Sequence, residues 1–200
     1  MSDKERVRIY PAGKEQMESR IAKEKDPELK EAYKEMLQGC LEHPDQWNWY
    51  AMWRIENENG NHVGNLCFKG LEENKNPEIG YGIYDEFQGR GYATDATNLA
   101  LSWAFEHPEV EVVEAETAPE NVASQRVLEK CGFKPTGIIG DEGPRYILCK
   151  GKCDNRKQCL CPDKAREACW GRLRSTPVRA KLPSTGRYEP PIPGNICINR

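Results

Sequence analysis

The chain has 200 residues, a net charge of −3 and 38% hydrophobic residues, which bounds it to one domain of ordinary size or one domain with an appendage. That apolar share is low for a fully packed chain of this length, so part of it is expected to lie outside the core. No apolar run approaches the roughly 18 residues of a membrane span, and the opening MSDKERVRIY lacks the apolar stretch of a secretory signal, so a soluble, cytoplasmic protein is expected with no membrane partner.

Arg6 to Tyr10 alternates polar and apolar, which predicts a half-exposed strand. Ala12 to about His43 is rich in Glu, Lys, Ala, Met and Leu and predicts two helices split at Pro27. Asp26 is placed to cap the second helix, with Pro27 at its first position. Its inward face then carries Leu29, Ala32, Tyr33, Met36, Leu37 and Leu41. Trp47 to Glu56 and His62 to Lys69, around the turn Asn57 to Asn61, predict a β-hairpin. The hairpin aromatics Trp47, Trp49, Tyr50 and Trp53 suit either the core or an acceptor pocket.

Glu78 to Tyr84 predicts a strand. Ala93, Ala96, Leu99, Ala100, Trp103 and Ala104 mark an amphipathic helix that stops at His107-Pro108. Val110 to Thr117 predicts a strand, Asn121 to Cys131 a helix ended by Gly132, and Phe133 to Gly140 and Arg145 to Cys149 two last strands. Strand, two helices, three strands, helix, strand, helix, two strands is a mixed α/β order built on one central sheet.

Charge divides the chain near residue 150. Residues 1–149 hold 17 Lys and Arg against 28 Asp and Glu, a balance of −11. Residues 150–200 hold 12 against 4, a balance of +8, with six of the nine cysteines from Cys149 onward and six prolines. The expected division is a folded domain over 1–149 and a basic, Cys/Pro-rich extension over 150–200. Cys149-x₃-Cys153 has zinc-like spacing, but Cys159-x-Cys161 is tight and the extension has no His. A required metal is therefore not expected, nor is a nucleic-acid partner.

Gln88-Gly89-Arg90-Gly91-Tyr92-Ala93 lies between a strand and a helix. Two glycines let successive N–H groups converge, and the following helix N-terminus adds its own unpaired donors. The result suits a phosphate or pyrophosphate, and Arg90 would add a full charge. The nucleoside-triphosphate loop and the dinucleotide fingerprint both fit poorly: no Lys follows the glycines, and a third Gly is missing. On local physics alone, a tight strand-to-helix turn explains the segment equally well.

The segment Gln88 to Ala93 matches the Q/R-x-x-G-x-G/A loop of the GNAT superfamily of N-acetyltransferases. Some 30 residues on, Asn121-Val122-Ala123-Ser124 and Val127-Leu128-Glu129-Lys130-Cys131-Gly132-Phe133 resemble that family's N-x-A-S-x-x-V-L-E-K-x-G-F helix. Within it, the chain resembles the branch that includes the ribosomal-protein alanine N-acetyltransferases. The likeness is strong from Glu78 to about Ile147 and rests on element order over residues 6–77.

The resemblance implies a mixed, mostly antiparallel sheet with flanking helices, and acetyl-coenzyme A as cosubstrate. The amides of Gln88, Gly89, Arg90, Gly91, Tyr92 and Ala93 would hold the pyrophosphate. The backbone at Ile83 would pair with the pantetheine arm, and Asn121 would lie beside it. Asn121 also suits a helix N-cap, and both roles can hold at once. The implied activity moves an acetyl group to a primary amine, either a protein N-terminus or a small cationic amine, by direct attack. The alternatives are a non-catalytic acyl-coenzyme A sensor or scaffold, and a metal- or nucleic-acid-binding role for the extension.

For the general base, Glu116 takes the family's position five residues before Asn121, with Glu78 in reserve. Glu114 shares the strand face of Glu116, and paired carboxylates would raise one pKa toward neutrality. For the acid, Leu128 stands where many members carry Tyr, which leaves Ser124 as the candidate. Tyr81, Tyr84 and Tyr92 stay open.

Overall fold

The computed structural model describes residues 6–71 and 76–151. Apart from residues 150 and 151, the extension expected over 150–200 lies outside the described residues, as do its cysteines from Cys153 onward.

Seven strands and five helices follow in the order β1 (Val7–Pro11), α1 (Lys14–Lys23), α2 (Pro27–Glu42), α3 (Trp47–Tyr50), β2 (Met52–Asn57), β3 (His62–Phe68), β4 (Ile79–Ile83), α4 (Tyr92–Glu106), β5 (Val112–Glu116), α5 (Val122–Lys130), β6 (Lys134–Ile139) and β7 (Pro144–Cys149). This is the expected mixed α/β fold with antiparallel strands and flanking helices. The sheet has two parts. One is antiparallel in the order β1-β2-β3-β4, the other antiparallel in the order β5-β7-β6. A single parallel pairing of Glu78 with Glu114 joins them, and there the Glu114 N–H donates to Pro77 O at 2.9 Å. Beyond that point β4 and β5 part.

The helix caps follow the sequence. Asp26 accepts hydrogen bonds from the Glu28 and Leu29 amides at the start of α2, and Asn121 accepts from the Ser124 amide at the start of α5. The inward face of α2 differs in one place: Cys40 is buried and Leu41 is exposed.

The first half of the expected hairpin is the main departure. Trp47 to Tyr50 is a helical turn, α3, and strand β2 begins only at Met52. In a strand, residues two apart share a face, so Trp47 and Trp49 would both face one layer. The helical turn sends them to different layers. Trp49 enters the main core with Trp53, Phe68 and α4, while Trp47 packs against the smaller core of Ala12, Met17 and Tyr33. There its indole N–H donates to Ala12 O at 3.0 Å.

Trp103 of α4 ties the main core together. Its ring centre lies 4.5 Å from Trp49, 4.8 Å from Trp53 and 5.5 Å from Phe68. Such pairs add about 1 kcal/mol each beyond burial, enough to fix α4 across the sheet. Trp49 and Trp53 are therefore core residues, not the lining of an acceptor pocket.

Backbone approach is closest between β3 and β4. A Cβ on Gly64 would overlap Gly82 O and crowd Ile83. Gly64→Ala is expected to destabilise the protein by about 1–3 kcal/mol, the usual cost of overpacking. A denaturant titration checks this, and an unchanged midpoint would mean that the strands can separate freely here.

Candidate active site

The site lies where β4 and β5 part, and it begins with the turn that follows β4. Gly89 has φ +73° and Gly91 has φ +86°, a left-handed region that side chains with a Cβ rarely adopt. Gly91 is the N-cap of α4 and has no side chain to satisfy the first amides. Those donors stay available at the positive end of the helix dipole. A Cβ on Gly89 would meet nothing within 4 Å, so the loop is glycine-rich for its backbone shape there, not for lack of room.

The loop opens into a cleft of about 310 Å³. Gln88, Gly89, Gly91, Tyr92, Ala93 and Thr94 line one wall, and Tyr81, Gly82 and Ile83 of β4 line another. Asn121, Ala123, Ser124 and Val127 of α5 close it. The loop, Ile83, Asn121 and Ser124 are thus brought together. Among the described residues no group of three or more His, Cys, Asp or Glu side chains could hold a metal.

Ile83 presents its backbone to the cleft. Successive strand residues point their N–H and C=O groups to opposite edges. The Tyr84 N–H donates to Val63 O of β3 at 2.9 Å, so the polar groups of Ile83 face the edge away from β3. Gln88 braces that edge: its Nε2 donates to Ile83 O at 3.0 Å and to Asp85 Oδ1 at 2.9 Å.

Arg90 departs from expectation. Its Nη2 donates to Glu86 O at 3.1 Å, and its guanidinium lies over the Phe87 ring, 5.7 Å from the centroid. The side chain folds back onto its own turn and is not part of the cleft wall.

Ser124 and Tyr81 are both 5% exposed. The Tyr81 hydroxyl is 3.1 Å from Ser124 Oγ and 3.2 Å from the Ser124 carbonyl oxygen. The carbonyl can only accept, so when Tyr81 donates to it the Ser124 proton is left for another acceptor. Sequence reasoning left Tyr81 open among three tyrosines. Nothing local in the sequence singled it out, because its partner Ser124 lies 43 residues away.

The three carboxylates converge, but around a cation that the sequence did not reveal. Arg145 of β7 reaches Glu116 Oε2 at 2.9 Å, Glu78 Oε2 at 3.1 Å and Glu114 Oε2 at 3.4 Å. Lys69 pairs with Glu78 Oε1 at 2.6 Å and Glu142 Oε1 at 3.2 Å. The amide of Asn76 donates to Glu114 Oε1 at 2.8 Å. The register that sets Glu116 opposite Arg145 makes this cluster, and register is not legible in a single strand.

Glu116 is only 3% exposed. Its Oε1 accepts from the amides of Glu142 and of Gly143, the latter at 2.9 Å. A Cβ on Gly140 would run into its carboxylate, so the turn between β6 and β7 wraps around this one anion. Burial opposes its ionisation, but the Arg145 bond and then the two amides outweigh burial and hold its pKa below the ordinary value. Glu116 is thus shifted opposite to the direction expected of a base near neutrality, because the Arg145 guanidinium bonds its carboxylate.

Since the folded pKa of Glu116 lies below its unfolded value, its stabilising effect is complete above the unfolded value of about 4.5. That effect is lost as pH falls through the folded value. Glu116→Gln should cost about 2 kcal/mol at pH 7, the scale of hydrogen bonds to a charged group. It should also flatten the fall in stability below pH 4.5. Urea melts at pH 3, 5 and 7 measure both effects.

Residues 1–134 match the sequence model of the family "Acetyltransferase (GNAT) domain". The chain is 40% identical over 60 residues to the "Probable N-acetyltransferase YjcK" of Bacillus subtilis (strain 168), a stretch covering 30% of this chain and 33% of that protein. The chain thus spans about a third of that relative. Its fold is similar to that of spermidine N-acetyltransferase from Vibrio cholerae in complex with CoA and spermine. There the TM-score is 0.57 at 16% identity, over 73% of this chain and 96% of the other. It is also similar to ribosomal-protein-S5-alanine acetyltransferase from Vibrio fischeri, with a TM-score of 0.54 at 15% identity, over 74% and 94%.

Proposed function

Because the chain belongs to the GNAT acetyltransferase family, we propose that it moves an acetyl group from acetyl-coenzyme A to a primary amine. The observation that carries the reading is the cleft itself. An N-terminus of α4 with no side-chain cap, behind two left-handed glycines, opens onto the β4 edge at Ile83, with a buried pair of hydroxyls within the same walls.

When bound, acetyl-coenzyme A supplies an activated acetyl thioester. The amides at Gly89 and from Gly91 to Ala93 hold its pyrophosphate. The backbone of Ile83 and the side of Asn121 line the pantetheine arm, while the Asn121 carbonyl oxygen caps α5. Ser124 Oγ holds the proton for the departing sulfur, and the Tyr81 hydroxyl orients it. A coenzyme thiolate leaves readily, so positioning does much of the work.

The acceptor's proton goes to the carboxylate edge of β5. Glu116 is sealed by Arg145 and the turn, so its part is to hold that wall in place. Glu114, on the same face and more exposed, takes the proton, with Glu78 beside it. Four carboxylates stand here against the two cations Lys69 and Arg145. That excess favours a cationic acceptor, a polyamine or a protein N-terminus. The two solved structures named above are a spermidine N-acetyltransferase and a ribosomal-protein-S5-alanine acetyltransferase. This reading places transfer in residues 1–149, in the cytoplasm, and gives the extension an accessory role.

Thiol release from acetyl-coenzyme A, measured against a panel of polyamines and N-terminal peptides, tests the reading. Ser124→Ala should lower kcat by roughly 10²-fold with cofactor Kd unchanged. Gly91→Glu should abolish cofactor binding, because a side chain at φ +86° strains the loop and adds an anion at the phosphates. Tight coenzyme binding with no thiol release on any amine would favour the sensor or scaffold instead.

A further inference from the structure

Arg6 stands just before β1, 84 residues from the glycine loop in sequence, yet it touches the back of that loop. Its Nη2 donates to Arg90 O. Its guanidinium lies over the Tyr92 ring, 5.8 Å from the centroid, and its Nε is 3.6 Å from Asp95 Oδ2. A Cβ on Gly91 would lie 3.4 Å from its Nη2. One side chain therefore spans the loop, its second glycine and the first turn of α4.

We propose that Arg6 is the positioning residue of the pyrophosphate loop, a strap and counter-charge in the place where sequence reasoning put Arg90. This rests on the reading that the loop binds the pyrophosphate of coenzyme A.

Two arguments carry it. The first is geometric. In a trans peptide the C=O and the following N–H point in opposite directions. Holding Arg90 O toward Arg6 turns the Gly91 N–H away from Arg6. Left-handed glycines have a wide choice of conformations, so the loop needs an outside contact to keep one, and Arg6 supplies it.

The second is electrostatic. Asp95 sits in the first turn of α4, and its Oδ2 is buried with no hydrogen-bond partner among the described residues. A carboxylate there is favoured by the same helix end that favours phosphate. Uncompensated, it would oppose a second anion on the loop. Arg6 cancels that charge, while the Arg90 guanidinium is folded over Phe87.

The test is calorimetric titration of the full chain with coenzyme A. Arg6→Gln should raise Kd about tenfold, the scale of hydrogen bonds to a charged group. Arg6→Lys should raise it about threefold, because one ammonium cannot span both the Arg90 carbonyl and Asp95. The decisive variant is Arg6→Gln with Asp95→Asn. Removing the carboxylate that Arg6 neutralised should recover the charge-dependent part of the lost affinity and leave the part lost with the Arg90 contact, whereas a merely structural defect would recover nothing.

Melting of each unliganded variant should stay close to that of the wild type. Arg6→Gln binding within twofold of wild type overturns the proposal, as does an added Asp95→Asn that recovers nothing. A lowered stoichiometry at unchanged Kd would mean partial unfolding, and also overturns it. Wild-type protein that binds no coenzyme A overturns the parent reading instead, and this one with it.

Discussion

Among the described residues one backbone pairing, between Glu78 and Glu114, joins the two halves of the sheet, and the cleft lies where they separate. On the joined side Arg145 and Lys69 clamp Glu78, Glu114, Glu116 and Glu142. On the parted side β4 turns a strand edge toward α5 and the glycine loop. An edge of this kind is usually a hazard, because its backbone groups seek another strand. Here the loop, α5 and the Gln88 amide on Ile83 O surround it, which leaves a narrow slot in place of an open edge.

Charge near the slot falls into two groups. At the loop, backbone amides and the dipole of α4 favour an anion, with Arg6 and Asp95 paired behind them. Outside the residues that line the slot, Glu78, Glu114, Glu116 and Glu142 gather around Lys69 and Arg145. A partly buried ion cluster adds little net stability on its own, yet losing one member leaves the buried Glu116 carboxylate less compensated. The Arg145 cluster therefore specifies the meeting of β5, β7 and the turn between β6 and β7 more than it stabilises them.

Much of this was legible in the sequence because the signals are local. Asp26-Pro27 marked the start of α2, and Gln88 to Ala93 marked the loop and the start of α4. Asn121 to Ser124 marked the start of α5. What escaped was set by distant partners. Trp47 to Tyr50 reads as strand from its aromatics, but two cores on opposite faces demand a helical turn. Arg90 reads as the loop's cation because it lies within the motif. A side chain's direction depends on its neighbours, and Phe87 and Glu86 O claim it, while Arg6 arrives from 84 residues away. Glu116 reads as a base from its place on the strand. Its register partner Arg145 and the turn at Gly140 to Gly143 bury its carboxylate and lower its pKa, which a single strand does not reveal.

The central claim is that the parted edge of β4 and the amides at the head of α4 together receive coenzyme A. Amide hydrogen exchange of the full chain, with and without saturating coenzyme A, addresses it directly. Slowed exchange at Ile83 and from Gly89 to Thr94, with β1 and β2 unchanged, is the result this account predicts. Slowing confined to other segments, or none at Ile83 and the loop while coenzyme A is bound, would contradict it.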